Sequence, residues 1–258
     1  MSMRGNPLKQ RLATGETAYG TMVCEFTAPG MPAALHAAGA EFAIYDMEHT
    51  GLDFADLKQQ VSYGRSLGLV PFARPIEKSY SAVTRLLDIG VLGLMLQMVE
   101  SAEEAARIVS WTRYPPHGVR GCSFGQSHDD YAPGDFREKI RVSNERVIVM
   151  PMIETRRGLE AIDEILAVDG VDGVHLGQFD LSLSLDLPGQ VDHPALQDAI
   201  DKIAQTAERH GKFAACLAVD PVTARDWRKR GFRMISCNYD VGLMQSALVN
   251  FIAATRAD

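Results

Sequence analysis

The chain has 258 residues, 46% of them hydrophobic and 23% charged, an ordinary globular mixture that fits one large α/β domain or two small ones. Its formal net charge of −7, with Lys and Arg scattered among acids, argues against a nucleic-acid surface, because binding phosphates takes clustered cations. The opening residues carry no apolar signal-peptide core, and no run of about eighteen apolar residues occurs, so a cytoplasmic protein without a membrane span is expected.

Short apolar or β-branched runs lie at 21–24, 42–45, 69–73, 93–98, 146–150, 173–176, 212–217 and 233–237, and each reads as a strand. Between them apolar residues recur with helical period, most clearly over 54–67, 102–111, 159–166 and 195–210. Alternating strands and helices imply parallel pairing through right-handed crossovers. Eight such units in this length predict a (β/α)8 TIM barrel, a single domain over 1–258. A faint echo supports repetition, since 86–96 and 165–176 both run helix, Gly turn, strand. The alternative, a doubly wound sheet, usually opens with a Gly-rich turn, and Ala28-Pro29-Gly30-Met31 is not one. One long irregular stretch, 113–134, is rich in Gly, Pro and polar residues and is expected to be an active-site loop or lid. The basic cluster Arg225 to Arg230 reads as an exposed helix face. Cys24, Cys122, Cys216 and Cys237 lack C-x-x-C spacing, so neither a disulfide nor a zinc site is expected.

In such a barrel, polar residues at the C-terminal strand ends converge on one mouth. Here they are Asp46, Glu48 and His49 after the second strand, Arg74 after the third, Gln97 at the fourth, and Glu154 after the fifth. Gln178 and Asp180 follow the sixth, and Asn238 and Asp240 the eighth. Glu154 and Asp180 follow successive strands, and two close carboxylates repel unless a cation sits between them. Hard oxygen donors point to Mg²⁺ or Mn²⁺, although the same spacing also suits acids that merely start helices. Arg74 is placed either to meet an oxyanion or to pair with one of the acids. His49, beside two acids, suits a general base or a structural imidazole. His175 lies inside the sixth strand and reads as packed barrel interior. G-x-S-x-G, Walker A and H-E-x-x-H motifs are absent, and Lys212 begins its strand, the wrong end for a Schiff base. Metal-assisted chemistry is left standing.

The segments Asp46-Met47-Glu48-His49, Ala73-Arg74-Pro75, Arg85-Leu86-Leu87-Asp88, 114–121, Met152-Ile153-Glu154-Thr155, 171–182 and Asp192-His193-Pro194, in that order, resemble the HpcH/HpaI family of metal-dependent pyruvate aldolases. The resemblance runs from about residue 8 to the final helix. It implies a divalent metal on Glu154 and Asp180, Mg²⁺ or Mn²⁺ with Co²⁺ or Zn²⁺ as substitutes, and cleavage of a 4-hydroxy-2-oxo acid to pyruvate and an aldehyde. It further implies that Arg74 stabilises an enolate oxygen and that His49, oriented by Asp88 and helped by Asp46, moves protons. The backbone of Gln178, Phe179 and Asp180 would receive the substrate carboxylate. Leu217 and the 120s loop, with Ser123, Gln126 and His128, would border the aldehyde. An oxaloacetate decarboxylase on the same site and a non-catalytic 2-oxo-acid binder are the alternatives. The family also implies a homo-oligomer, trimer or hexamer, through the apolar last helix. The chain departs from the family pattern at Met152 after Pro151, at Gly177-Gln178-Phe179-Asp180 where Gly-Pro-x-Asp is usual, and at Gln97-Met98 where Pro-Met is usual. Gln97 and Gln178 are expected to replace a missing amide in the mouth.

Overall fold

A computed structural model describes residues 3–256, so the ends of the expected 1–258 domain lie outside the described residues. In chain order the elements are α1 (Pro7–Ala13), β1 (Ala18–Val23), α2 (Met31–Ala37), β2 (Phe42–Asp46), α3 (Phe54–Leu67), β3 (Val70–Arg74), α4 (Tyr80–Asp88), β4 (Gly93–Leu96) and α5 (Ala102–Thr112). A 3₁₀ turn (Ser127–Asp129) precedes α6 (Phe136–Arg146), β5 (Ile148–Ile153), α7 (Arg156–Glu160), α8 (Ile162–Ala167), β6 (Gly173–Leu176) and α9 (Gln178–Ser184). The chain continues through α10 (Pro194–Arg209), β7 (Phe213–Ala218), α11 (Pro221–Arg230), β8 (Phe232–Tyr239) and α12 (Asp240–Arg256). All eight strands pair in parallel in sequence order, and β8 closes onto β1: the fold is a (β/α)8 TIM barrel.

Strand alternation divides the core in two. Val174 and Leu176 on β6, or Val149 and Ile153 on β5, face the helices, where Leu196, Ile200, Ile203 and Ala207 form one stripe of α10. Phe42, Phe72, Phe213, Ile148 and Met150 face inward, and Leu8 and Leu12 of α1 plug that interior from the N-terminal side. Three phenylalanines fill the lower barrel because each lies over a glycine on the adjacent strand. A Cβ at Gly20, Gly93 or Gly173 would fall 2.6 Å, 2.1 Å and 2.7 Å from the rings of Phe42, Phe72 and Phe213. Any side chain there would displace a ring.

Several helix starts are marked by their sequence. Asp53, Ser79, Ser101, Thr155 and Asp220 accept bonds from the first-turn N–H groups of their helices. The expected helix over 159–166 is instead two short ones meeting at Ala161. The 225–230 cluster is an exposed face of α11 with Trp227 alone turned inward. No helix among the described residues is long and apolar enough to cross a membrane.

Among the described residues, none of 113–134 lines the cavity at the strand ends of the same chain. The reason is electrostatic and aromatic anchoring elsewhere. Asp130 is gripped by Arg4 at 2.8 Å, Arg65 at 2.8 Å and Arg146 at 3.4 Å. Buried Asp129 pairs with Lys139 at 2.7 Å, and Phe124 packs among Phe136, Tyr114 and His128. Ser123 and Gln126 bond each other at 2.6 Å.

Candidate active site

The ends of the strands supply one cavity of about 290 Å³, walled by Met22, Cys24, Asp46, His49, Arg74, Met95, Met152, His175, Leu176, Gly177, Gln178, Phe179, Asp180, Leu217 and Tyr239. It therefore gathers Asp46, His49, Arg74, Gln178, Phe179, Asp180 and Leu217, contributed by four different strand ends, those of β2, β3, β6 and β7.

Arg74 is the most constrained of them. Its Nε and Nη2 donate to the two oxygens of Asp46 at 2.8 and 2.6 Å, a bidentate pair between register neighbours on β3 and β2, and Nη1 lies 3.2 Å from Glu48. Burial opposes its charge, but the bond to Asp46 and the surrounding carboxylates outweigh it and hold the guanidinium above its ordinary range. Asp46 also accepts from the N–H of Glu48 at 3.0 Å, which fixes the turn that carries His49. His49 stands at the rim with its Nε2 3.5 Å from Glu48. Among the described residues no bond joins it to Asp88. Asp88 ends α4, which runs back from the mouth, and it pairs there with Arg120 at 2.8 Å.

Glu154 does not itself line the cavity, but its carboxylate lies against Gly177, which does: a Cβ at 177 would fall 2.5 Å from Glu154 Oε2. Its other oxygen accepts from the Met98 N–H at 2.6 Å, an N–H turned inward by the left-handed φ of 51° at Met98. Burial most of all, tempered by that N–H and reinforced by Asp180, pushes the Glu154 carboxyl up to about 7. Nothing in the sequence flagged Met98 as a backbone donor; a residue held left-handed at a strand end is legible only in coordinates.

Gln178 turns into the cavity wall, and its side-chain oxygen is buried without a partner. Gln97 does not join it: its Nε2 is spent on the Pro75 carbonyl at 2.8 Å, outside the cavity. Asp240, another strand-end acid, turns away to accept the N–H groups of Cys24, Glu25 and Phe26 at 3.1, 2.9 and 2.8 Å, fastening the turn after β1 to the end of β8. All four cysteines are free. Burial, then the Asp46 charge, pushes Cys24 in the cavity wall up to about 12, which leaves it an unreactive thiol.

Residues 24–247 match the family model for HpcH/HpaI aldolase/citrate lyase. The chain is 33% identical to a 2-keto-3-deoxy-L-rhamnonate aldolase of Klebsiella pneumoniae subsp. pneumoniae, over 100% of this chain and 96% of that one. An enzyme of the same name from Escherichia coli K12 is 34% identical, over 96% and 92%. The crystal structure of an HpcH/HpaI aldolase from Desulfitobacterium hafniense DCB-2 superposes with a TM-score of 0.93 at 30% identity, over 99% and 98% of the two chains. A family model spanning most of the barrel, with relatives matched end to end, makes this chain a member of the HpcH/HpaI aldolase/citrate lyase family of carbon–carbon lyases.

Proposed function

We propose that the chain is a divalent-metal-dependent aldolase that cleaves a 4-hydroxy-2-oxo acid to pyruvate and an aldehyde, and that also runs as an addition. The observation that carries this reading is one cavity lined by Asp180 and by an Arg74 locked in place by Asp46, with a buried Glu154 just behind its Gly177 wall, made reluctant to ionise by burial and Asp180. The substrate in the relatives' names, 2-keto-3-deoxy-L-rhamnonate, is itself a 2-oxo acid, which supports the substrate class.

The donor set fits a hard cation. Glu154 and Asp180 offer carboxylate oxygens, and among the described residues no cluster of three or more His, Cys, Asp and Glu is gathered. The remaining positions then fall to water and ligand oxygens, the usual way of holding Mg²⁺ or Mn²⁺. When bound there, such an ion supplies Lewis-acid polarisation of the 2-oxo group.

The chain's own residues do the rest. His49 takes the proton of the 4-hydroxyl as the bond between carbons 3 and 4 breaks. The electron pair passes to the carbon-2 oxygen, where the fixed guanidinium of Arg74 meets the developing charge, a contribution of about 3 kcal/mol for a preorganised donor. Asp46 holds Arg74 in that pose, and the backbone at Gln178, Phe179 and Asp180 receives the acid's carboxylate. Leu217 borders the departing aldehyde. Return of that proton from His49 to carbon 3 completes pyruvate and regenerates the neutral imidazole.

The test is proton NMR of pyruvate in D₂O with the protein and Mg²⁺ or Mn²⁺, which needs no knowledge of the aldehyde. Metal-dependent loss of the methyl signal, abolished by Glu154→Ala and by Asp180→Ala, is the expected result. A methyl signal that persists at the background rate counts against the reading.

The chain also assembles as a homo-oligomer, trimer or hexamer. The support is α12, of which only Asp240 is buried, while Leu243, Met244, Leu248, Val249, Phe251 and Ile252 face solvent. So much apolar surface on one helix is a face awaiting another copy. Light scattering that returns a monomer mass would end this assignment.

A further inference from the structure

His175 is a polar residue in an apolar setting. Its neighbours on β6, Val174 and Leu176, pack outward, so alternation turns His175 into the barrel, level with Met152 of β5 and Ala215 of β7. There it lines the cavity with Met22, Met95, Met152 and Leu217, an apolar set beside the charged Asp46, Arg74 and Asp180. The residue is 3% exposed, yet neither Nδ1 nor Nε2 has a hydrogen-bond partner. Nearly all buried polar groups are paired, so a ring with both nitrogens open beside a cavity is completed by whatever enters that cavity. Burial, then the Arg74 charge, pushes its pKa down to about 3, with the nearby Leu176 backbone opposing weakly and outside hydrogen-bond geometry. The ring is therefore neutral at ordinary pH and offers one N–H donor and one bare nitrogen acceptor.

We propose that His175 is a substrate-recognition residue whose imidazole hydrogen-bonds an oxygen of the acid bound in the cavity, selecting oxygen-bearing occupants over hydrocarbon ones of similar size. This deepens the 2-oxo-acid reading above and rests on it. The surrounding methionines strengthen the contact, because flexible thioethers close around an occupant and keep bulk water from competing for the ring. A histidine present only for packing behaves in the opposite way. Exchanging it for Phe would then improve the apolar wall and leave binding untouched.

The test is calorimetric titration of the Mg²⁺-loaded full-length protein with oxalate, a planar stand-in for the pyruvate enolate. Wild type, His175→Phe and His175→Asn are compared, and the same proteins are melted without ligand. His175→Phe is expected to weaken oxalate by about tenfold or more, while its ligand-free melting temperature is no lower than wild type. His175→Asn, which keeps a donor and an acceptor, recovers part of the affinity. The imidazole ¹⁵N resonances of His175, identified by their loss in either variant, shift when wild type is saturated with oxalate, so one variant that folds poorly does not remove the test. Oxalate affinity in His175→Phe within about twofold of wild type, or ¹⁵N resonances unmoved by saturation, overturns the recognition role alone. Wild type that fails to bind oxalate with Mg²⁺ present overturns the 2-oxo-acid reading and this role together.

Discussion

Replacing Glu154 by Gln keeps the length of the side chain and an acceptor for the Met98 N–H, and deletes only the charge. In the wild type that carboxyl is moved from its ordinary 4.5 up to about 7, with burial the leading cause. The folded protein therefore holds this proton more tightly than the unfolded chain. The stability it contributes is fully present below about pH 4.5 and is lost as pH rises toward about 7, by about 3 kcal/mol in all. Gln has no proton to lose. In EDTA at about pH 8, Glu154→Gln should thus melt several degrees above wild type, given about 2–4 °C per kcal/mol for a chain of this size. The gap should close near pH 4.5, where the folded state holds both side chains neutral. Adding Mg²⁺ or Mn²⁺ at about pH 8 should raise the wild type and leave the variant where it was. Differential scanning calorimetry across that pH range is the assay. A variant that melts below wild type in EDTA at about pH 8, or by an amount independent of pH, would refute the reasoning.

Arg74→Lys retains the positive charge but not the two-pronged bond to Asp46, and kcat/KM is expected to fall by about 10²–10³, measured in a pyruvate-release assay. Gly177→Ala places a Cβ 2.5 Å from a Glu154 oxygen, so titration with Mn²⁺ should show weakened binding while far-UV circular dichroism stays unchanged. Phe251→Glu with Leu248→Glu should lower the mass in solution to that of a single chain, read by light scattering, without unfolding the barrel. Iodoacetamide at about pH 8 should label exposed Cys122 well before Cys24, whose thiol is held near 12, and mass spectrometry of the peptides decides it.

The barrel was legible because strand-to-helix alternation is written in hydrophobic period: the run at 42–45 became β2 (Phe42–Asp46), and the one at 173–176 became β6 unchanged. The mouth was legible because topology alone sends strand-end side chains to one place, and Asp46, Arg74 and Asp180 went there. Other features depended on geometry that no local pattern encodes. The resemblance implied Asp88 as a partner for His49, and within one chain Asp88 pairs instead with Arg120 at the far end of α4, a pairing that no local pattern announced. The 113–134 loop had the composition of a lid, but nothing in that composition foretold the grip of three arginines on its Asp130. Asp240 read as one more mouth acid until its turn toward three backbone N–H groups was seen. Gln97 was spent on a carbonyl for the same kind of reason, a nearby backbone group claiming the side chain first.

The Asp240 clamp has a bearing on how the protein comes into being. Cys24 walls the cavity, yet the turn that positions it is tied by a residue more than two hundred positions later in the chain. Contacts of such sequence separation are the slowest to form, because a long loop must close before they repay its entropy. During synthesis the first strand therefore waits, its partner edge bare, until the eighth strand has left the ribosome. A chain interrupted anywhere before β8 would carry most of its site residues without the wall that encloses them, leaving it exposed to aggregation or proteolysis rather than weakly active.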